Sequence, residues 1–233
     1  MRESAEAALR AVFRGRPGCA AALDAATGRA LAQWRPDLVK NWAAAPGSVI
    51  KPMMVAAFTR LEARRACTRR LALAGLDLSC THGARAEPLD AARAIALSCN
   101  AWVAAGAAET DPAALAGALA GAEFKPPANV EETQLLALGV RHVRVTPWWL
   151  ARAYWRLGRE APAAVRRGLE LAVKEGTAAA AAPALGGKTG TSREAAWFAG
   201  FDERMVLVGA LPGGTGGGDA APVAGGGFAR CAG

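Results

Sequence analysis

A serine and a lysine three residues apart stand out in segment 45–52, which reads APGSVIKP. The Pro-Gly pair before Ser48 is typical of a turn, and the apolar spacing from Val49 to Leu61 predicts a helix. Side chains three positions apart are neighbours on a helix, so we expect Ser48 beside Lys51 at its start. A neutral lysine amine beside a serine hydroxyl is the arrangement of a serine nucleophile with its base. The same residues also suit a core helix with a capping serine and a lysine at its edge.

Two further polar motifs lie downstream. Ser98 and Asn100 put a hydroxyl and a carboxamide at the junction of a predicted helix and a loop. Lys188 and Thr189 put a cation beside a hydroxyl, and Gly190 after them would let a substrate backbone approach a strand. Taken alone, the first motif suits a helix end and the second a turn into a strand. The chain has only five serines, five lysines and three asparagines, so chance rarely produces Ser-x-x-Lys, Ser-x-Asn and Lys-Thr-Gly in this order.

The elements around these motifs predict an α+β fold. Two apolar runs within Gly18–Trp34 predict a hairpin, and Ala195–Phe201 and Val206–Leu211 predict further strands. The segment Val49–Ala180 has mainly helical patterns. The clearest helix candidates are Leu89–Trp102, Pro112–Ala120, Pro147–Leu157 and Ala163–Glu175. We therefore expect an antiparallel sheet formed by the N- and C-terminal segments, with a mainly helical block inserted between them. The glycine-rich segment Pro222–Gly233 predicts only a weak helix.

The composition fits a single domain with a sizeable core. Of the 233 residues, 52% are hydrophobic and 21% are charged. We expect one domain over residues 1–233, with a sheet subdomain at about 15–45 and 183–233 and a helical subdomain at about 46–182. The net charge of +8 comes mostly from scattered arginines, without the dense basic block that favours nucleic acid as a partner. No membrane span or signal peptide is expected, because no apolar run reaches about 20 residues and the start predicts a polar, alanine-rich helix.

The five cysteines leave two interpretations open. They are Cys19, Cys67, Cys80, Cys99 and Cys231. Their spacings suggest no metal site. Cys67 and Cys80 flank a short segment and are able to pair in an oxidising compartment. The alternative is that all five are ordinary buried thiols.

The three motifs, in this order, are those of penicillin-binding proteins and serine β-lactamases. The sequence resembles a penicillin-binding transpeptidase domain, closest to the class B type. The likeness extends to the segments Gln134–Gly158 and Gly176–Phe201, and it covers the chain from about Cys19 to about Pro212. By this resemblance the domain lies on the extracytoplasmic side of the cell membrane, and any membrane contact is made through a segment that this chain does not carry.

The resemblance and the chemistry of the side chains imply the same catalytic roles. Ser48 is the nucleophile and Lys51 takes its proton. A second positive charge at Lys188 lowers the pKa of the lysine base. Ser98 passes a proton to the leaving amine, and Asn100 binds an amide of the peptide.

Substrate binding is expected at the third motif. Lys188 and Thr189 hold the terminal carboxylate, because a cation and a hydroxyl side by side both donate hydrogen bonds to it. Gly190 leaves room for the substrate strand. By resemblance, the main-chain N–H groups of Ser48 and Thr191 form an oxyanion hole.

The expected activity is that of a D,D-transpeptidase. The donor implied by the resemblance is a peptidoglycan stem peptide ending in D-Ala-D-Ala, and the acceptor is the amine of a second stem peptide. The intermediate is a covalent Ser48 ester. β-Lactam antibiotics mimic the donor and acylate the same serine. No metal or organic cofactor is implied.

Other activities remain open within and outside this class. If the acyl group on Ser48 is transferred to water instead of to an amine, the activity is that of a D,D-carboxypeptidase. A serine β-lactamase requires a base for water, and Glu131 and Glu132 lie in the right interval, although the residues around them do not match the loop that carries this base. A different class of function is a β-lactam sensor or a non-catalytic scaffold that keeps the fold.

Overall fold

The computed structural model describes residues 1–232 of the chain. Its main sheet has five antiparallel strands in the order β2-β1-β9-β8-β7. The strands are β1 (Cys19–Asp24), β2 (Ala30–Trp34), β3 (Ala72–Leu73), β4 (Leu76–Asp77), β5 (Glu123–Phe124), β6 (Val143–Arg144), β7 (Gly186–Thr191), β8 (Ala195–Phe201) and β9 (Met205–Pro212). The two ends of the chain supply the main sheet, so the predicted α+β fold is confirmed.

Most of the helices lie in the segment between β2 and β7. They are α1 (Arg2–Phe13), α2 (Pro36–Asn41), α3 (Lys51–Ala56), α4 (Ala91–Ala96), α5 (Asn100–Ala108), α6 (Pro112–Ala118), α7 (Val130–Ala137), α8 (Pro147–Glu160), α9 (Ala163–Glu175) and α10 (Ala221–Ala232). Asp111 and Thr146 cap α6 and α8 through their side chains, as their positions before a proline predict. The sequence located α6, α8 and α9 to within a few residues, because α6 and α8 begin with a capping residue followed by proline, and α9 lies between Pro162 and Gly176.

The main sheet is buried on both faces. Alternate residues of β8 point to opposite sides, with Phe198 in a core beneath α1 and α10, and Trp197 in a larger core beneath the inserted helices. Both residues are fully buried. A strand covered on both faces is apolar throughout, which explains why β8 and β9 read as continuous hydrophobic runs.

Packing makes the glycine-rich C-terminal segment helical. The sequence of this segment predicts only a weak helix, yet α10 runs over Ala221–Ala232. Phe228 is fully buried and meets Phe198 edge to face, with ring centroids 6.3 Å apart. Burial of an apolar face thus outweighs low intrinsic propensity.

Two parts of the inserted block differ from the expectation. The predicted helix Val49–Leu61 is a 3-10 turn at Gly47–Ile50 followed by α3, which ends at Ala56. The stretch from 57 to 90, expected to be mainly helical, is mostly irregular and contains the short β3–β4 hairpin. Ala74 and Gly75 have positive φ in the turn of that hairpin, so the local backbone is incompatible with a helix.

Within residues 1–232, the structure has no helix with the length and hydropathy needed to cross a bilayer.

We expect Phe228→Ala to lower the free energy of unfolding by about 3–5 kcal/mol, because it empties a fully buried ring site under α10. Urea unfolding followed by circular dichroism measures this change. The matched control is Val130→Ala, since Val130 is 58% exposed and its truncation should shift stability by no more than about 0.5 kcal/mol. Equal stabilities of the two variants would contradict the packing of α10 on the sheet.

Candidate active site

The 3-10 turn Gly47–Ile50, called the nucleophile turn below, carries Ser48 against the end of β7. Gly47 has a φ of 55°, and its N–H donates to the carbonyl of Gly139 at 3.0 Å. A Cβ added to Gly47 would lie 2.3 Å from the carbonyl oxygen of Thr191. Only glycine fits this conformation and this approach, so the Pro-Gly-Ser turn is required by the fold and not only by local turn chemistry.

Two buried aromatic side chains hold the main chain on either side of Ser48. The indole N–H of Trp197 donates to the carbonyl of Ala45 at 3.0 Å. The hydroxyl of Tyr154 donates to the carbonyl of Val49 at 2.8 Å. Both rings are fully buried, so the nucleophile turn is fixed to the sheet and to α8. The side chain of Ser48 does not cap the helix, and it faces the cleft described below.

The amine of Lys51 is fully buried and is held by the second motif. It donates to the carbonyl of Ser98 at 2.9 Å, to the hydroxyl of Ser98 at 3.3 Å and to the side-chain carbonyl of Asn100. Burial lowers its pKa from the ordinary value of 10.5 to about 8, against smaller opposing effects of Cys99 and Cys80. The neutral amine is therefore much easier to form than on an exposed lysine.

Within the described part of the chain, Ser48 Oγ makes no hydrogen bond to Lys51 Nζ. The sequence predicts that Ser48 and Lys51 are neighbours. The amine is turned toward Ser98 and Asn100 instead, because these supply three acceptors that a buried ammonium needs. A pair that is not yet bonded in the free protein is still consistent with a base that closes on its partner during the reaction.

The second motif interrupts a helix. The helix predicted over Leu89–Trp102, with Ser98 and Asn100 at its junction with a loop, is in fact two helices: α4 ends at Ala96 and α5 begins at Asn100. Ser98 between them has a φ of 57°, which costs a residue with a side chain of order 1–3 kcal/mol. This left-handed turn presents both its carbonyl and its hydroxyl to Lys51. Asn100 is fixed from its other end, since its side-chain N–H donates to Leu78 O at 2.8 Å.

The third motif forms a buried polar group with a threonine that the sequence analysis did not single out. Lys188 Nζ donates to Thr177 Oγ1 at 3.2 Å and to the carbonyl of Thr189 at 3.0 Å. The hydroxyls of Thr189 and Thr177 are 3.0 Å apart. Burial, and then the charge of Lys51, hold the pKa of Lys188 well below its ordinary value. Thr177 lies eleven residues before Lys188, with no local signal to mark it.

A single cleft of about 410 Å³ gathers most of these side chains. Of the predicted site residues, its walls contain Ser48, Ser98, Asn100, Thr189, Gly190 and Thr191. Lys51 and Lys188 lie behind the walls and reach the lining residues through hydrogen bonds. The remaining lining residues, which the sequence analysis did not predict, are Thr81, Thr177, Thr215 and Gly217.

Strand β7 is at the edge of the main sheet, but most of its residues are buried there. Lys188 is 0% and Thr189 6% exposed. A Cβ on Gly190 would lie 2.3 Å from the carbonyl oxygen of Pro46 and 2.9 Å from the Val49 nitrogen. The bare Cα of Gly190 thus lets β7 approach the nucleophile turn, a constraint that the sequence did not indicate. Gly190 also lines the cleft, and the room it leaves for a substrate strand stays a prediction.

The main chains beside Ser48 and Thr191 lie against each other, and both residues line the cleft. The close approach of Gly47 to the Thr191 carbonyl places the two segments in van der Waals contact. The Thr191 side chain is fixed, because its Oγ1 accepts from the Gly216 N–H at 3.0 Å. An oxyanion hole made by main-chain donors requires such a fixed pair of segments.

A group of thiols lies directly behind the second motif. The ligand atoms of Cys67, Cys80, His82 and Cys99 all lie within 4.8 Å of one another. We call this group the thiol–imidazole cluster. All five cysteines of the chain are free thiols, so the Cys67–Cys80 disulfide is not formed in this structure. The sequence spacings did not indicate a metal site, whereas the fold brings four potential ligands together.

Comparisons with known proteins identify the fold. The transpeptidase domain of penicillin-binding protein 3 from Burkholderia pseudomallei superposes with a TM-score of 0.81 at 20% identity, over 99% of this chain and 92% of that one. This chain has the fold of a penicillin-binding protein transpeptidase domain. PBP2 of Pseudomonas aeruginosa, in complex with WCK 5153, has a TM-score of 0.79 at 17% identity, over 98% of this chain and 74% of that one.

A third solved structure agrees with the penicillin-binding protein fold. The D,D-transpeptidase domain of a peptidoglycan glycosyltransferase from Eggerthella lenta has a TM-score of 0.76 at 18% identity, over 97% of this chain and 80% of that one. No family model and no curated protein sequence matches the chain. The resemblance seen in the three motifs is thus confirmed by the fold, although the sequences have diverged widely.

We expect Gly190→Ala to lower the free energy of unfolding by about 1–3 kcal/mol, since the new methyl group overpacks the contact with Pro46. Gly117→Ala is the control, because a Cβ there meets nothing within 4 Å and a helical glycine replaced by alanine gains up to about 1 kcal/mol. Urea unfolding of both variants measures the difference. A Gly190→Ala protein as stable as wild type would show that β7 does not press on the nucleophile turn.

Proposed function

We propose that this protein is a serine acyl-transferase, a D,D-transpeptidase acting on peptidoglycan stem peptides that end in D-Ala-D-Ala. One observation carries the proposal. The buried amine of Lys51 is bonded to Ser98 and Asn100 in the wall of the same cleft that Ser48 faces. Burying a lysine amine next to Ser98 costs desolvation free energy that a non-catalytic scaffold would gain nothing from. The arrangement therefore favours nucleophilic catalysis.

The contacts of Lys51 explain how it would exchange protons. As an ammonium it uses all three N–H donors, two on carbonyl groups and one on the Ser98 hydroxyl. When neutral, it keeps the two bonds to the carbonyl groups and has a lone pair free for a hydroxyl. The lone pair takes the proton of Ser48 as Oγ attacks the peptide carbonyl. The proton then passes through Ser98 to the nitrogen of the leaving D-Ala, and the C–N bond breaks.

The resulting ester on Ser48 is resolved by a second nucleophile. The amine of another stem peptide attacks the ester carbonyl and gives up a proton, which passes through Ser98 to the neutral Lys51. Ser48 Oγ then leaves and takes a proton back from Lys51, and a new peptide bond remains. The N–H groups of Ser48 and Thr191 stabilise the negative oxygen in both steps. Each donor of this kind contributes about 3–4 kcal/mol to the barrier reduction in a comparable hydrolase.

The terminal carboxylate of the donor is expected at the hydroxyls of Thr177 and Thr189. Both line the cleft; the Thr177 hydroxyl accepts from Lys188, and the Thr189 hydroxyl lies 3.0 Å from that of Thr177. Because Lys188 is fully buried, its charge acts from behind the two threonines and not by direct exposure to the ligand. Binding an anion there would favour the protonated form of Lys188, which burial otherwise disfavours.

The positions of two glutamates argue against rapid hydrolysis of the ester. Glu131 accepts a hydrogen bond from the Ala74 N–H at 2.6 Å, and Glu132 accepts from the Ala128 N–H at 2.8 Å. Neither lines the cleft, and among residues 1–232 no carboxylate does. A transpeptidase or carboxypeptidase with a long-lived acyl-enzyme is therefore favoured over a β-lactamase that uses a glutamate base. Because peptidoglycan stem peptides are the proposed substrate, we expect the domain on the extracytoplasmic side of the membrane.

Intact-protein mass spectrometry after incubation with benzylpenicillin separates these activities. We expect a stable one-to-one adduct on the wild-type protein. Turnover of the penicillin without a lasting adduct indicates a β-lactamase, and no adduct indicates a scaffold. A donor peptide ending in D-Ala-D-Ala, supplied with and without an acceptor amine, then distinguishes transfer to the amine from transfer to water.

We expect Ser48→Ala to abolish the penicillin adduct while the circular dichroism spectrum stays that of wild type, since the side chain is half-buried and makes no hydrogen bond within residues 1–232. The matched control is Ser192→Ala, a serine in the β7–β8 turn outside the cleft. It should label as wild type does. Labelling that persists in Ser48→Ala would refute the assignment of the nucleophile.

We expect Lys51→Arg to lose acylation by at least about 100-fold, the lower range of a missing general base, because a guanidinium cannot lose its proton in a protein. Lys51→Met is the companion variant, which keeps the apolar stem without a buried charge. Stopped-flow measurement of penicillin acylation gives both rates, with unfolding curves as the check on integrity. Near wild-type rates in a folded Lys51→Met protein would place the base elsewhere.

A further inference from the structure

The thiol–imidazole cluster has the dimensions of a metal site. The sulfur atoms of Cys67 and Cys80 are 3.6 Å apart, those of Cys80 and Cys99 are 3.7 Å apart, and those of Cys99 and Cys67 are 3.3 Å apart. Nε2 of His82 lies 3.6 Å from the sulfur of Cys67. These four residues come from segments up to 32 positions apart in the chain.

A tetrahedral zinc ion predicts nearly the same spacings. Zinc–sulfur bonds of about 2.3 Å and zinc–nitrogen bonds of about 2.0 Å, at tetrahedral angles, separate two sulfurs by about 3.8 Å and a sulfur from a nitrogen by about 3.5 Å. The cluster matches these values to within a few tenths of an ångström for three of its four measured pairs, and Cys99–Cys67 is shorter by 0.5 Å. Three thiols and one imidazole are also a common ligand set of structural zinc sites.

The surroundings of the cluster orient its ligand atoms. His82 Nδ1 lies 2.8 Å from the carbonyl of Gly83, so the Nδ1 proton is held there and the lone pair of Nε2 is directed at the sulfurs. The Ala101 N–H, at the start of α5, donates to the sulfur of Cys80 at 3.5 Å. A backbone donor of this kind stabilises a thiolate. Cys80 and Cys99 are buried, which shields the site from solvent.

The cluster also lies next to the cleft. Cys99 stands between Ser98 and Asn100, both of which bind Lys51. Thr81, between two members of the cluster, lines the cleft. A metal ion bound here would therefore join the irregular stretch 67–82 to the left-handed turn at Ser98.

We propose that Cys67, Cys80, His82 and Cys99 bind one zinc ion, which holds the Ser98–Asn100 segment in place behind the cleft. Binding releases the protons of the three thiols to solvent, since the thiolate is the ligand. Zinc fits better than a harder cation, because thiolate and imidazole ligands select zinc over magnesium or calcium.

A disulfide accounts for the cluster less well than a metal does. One disulfide would use two of three mutually adjacent thiols, leaving the third thiol and the imidazole without a role. The sulfurs are also 3.3 Å or more apart, whereas a disulfide needs about 2.0 Å.

The test begins with metal analysis of the full chain purified without chelators. Inductively coupled plasma mass spectrometry should find close to one zinc per chain in the wild type. In Cys67→Ser and in His82→Ala, zinc affinity measured by competition with a chromophoric chelator should fall at least about 100-fold, since even the loss of an outer-shell partner costs 10–100-fold. Cys231→Ser is the matched control, a cysteine far from the cluster in α10, and it should bind zinc as the wild type does.

Cobalt substitution of the wild-type protein tests the ligands without any mutation. After removal of zinc, Co²⁺ should produce the strong visible bands of a tetrahedral site and a thiolate-to-cobalt charge-transfer band. Zinc should also raise the midpoint of thermal unfolding of the stripped wild type and of Cys231→Ser, but not of Cys67→Ser. These readouts do not depend on acylation of Ser48. They therefore test the metal site separately from the proposed function.

Three outcomes would overturn the proposal. One is a wild type that purifies without metal and gives no charge-transfer band with Co²⁺. Another is a zinc content that is equal in Cys67→Ser, His82→Ala and the wild type. The third is an intact mass under non-reducing conditions that shows two hydrogens lost from the cluster, which would identify a disulfide instead.

Discussion

The buried amine of Lys51 is the constraint on which the rest of the site depends. An ammonium that is fully removed from water is stable only if each of its N–H groups finds an acceptor. The structure supplies these acceptors from Ser98 and Asn100, and the cost is a backbone in the left-handed region at Ser98. The interruption between α4 and α5 is therefore a consequence of where the lysine lies. The same burial that demands these partners also lowers the pKa of Lys51 toward neutrality.

Glycines at the meeting point of the sheet and the helical block set the width of the cleft. Gly47 and Gly190 each bring a main chain to a distance at which a methyl group would collide with a carbonyl oxygen. Trp197 and Tyr154 then fix the nucleophile turn from the sheet and from α8. Ser48 thus lies on a rigid segment of main chain, and only its side chain is left to rotate during the reaction. Preorganisation of this kind is what a nucleophile and an oxyanion hole require.

The thiol–imidazole cluster lies against the second motif, since Cys99 is the middle residue of that motif. The stretch 57–90 is mostly irregular, and the two-residue strands β3 and β4 contribute little to its order. A segment with so few regular hydrogen bonds needs another source of rigidity if it is to hold Asn100 through Leu78. The cluster lies between this stretch and Ser98. A metal ion bound there would therefore act on the position of the groups that accept hydrogen bonds from Lys51.

The sequence by itself determined the fold class, the places of helices α6, α8 and α9, and the residues of the three motifs. Strand β8 and helix α9 have the predicted bounds, because a continuous apolar run and a 3.6-residue period are local patterns. Only the tertiary structure decided the turn at Ser98, the reason for a glycine at 190, the part played by Thr177 and the meeting of Cys67 with Cys99. Each of these depends on which atoms of distant segments approach one another, and neither period nor spacing along the chain records that approach.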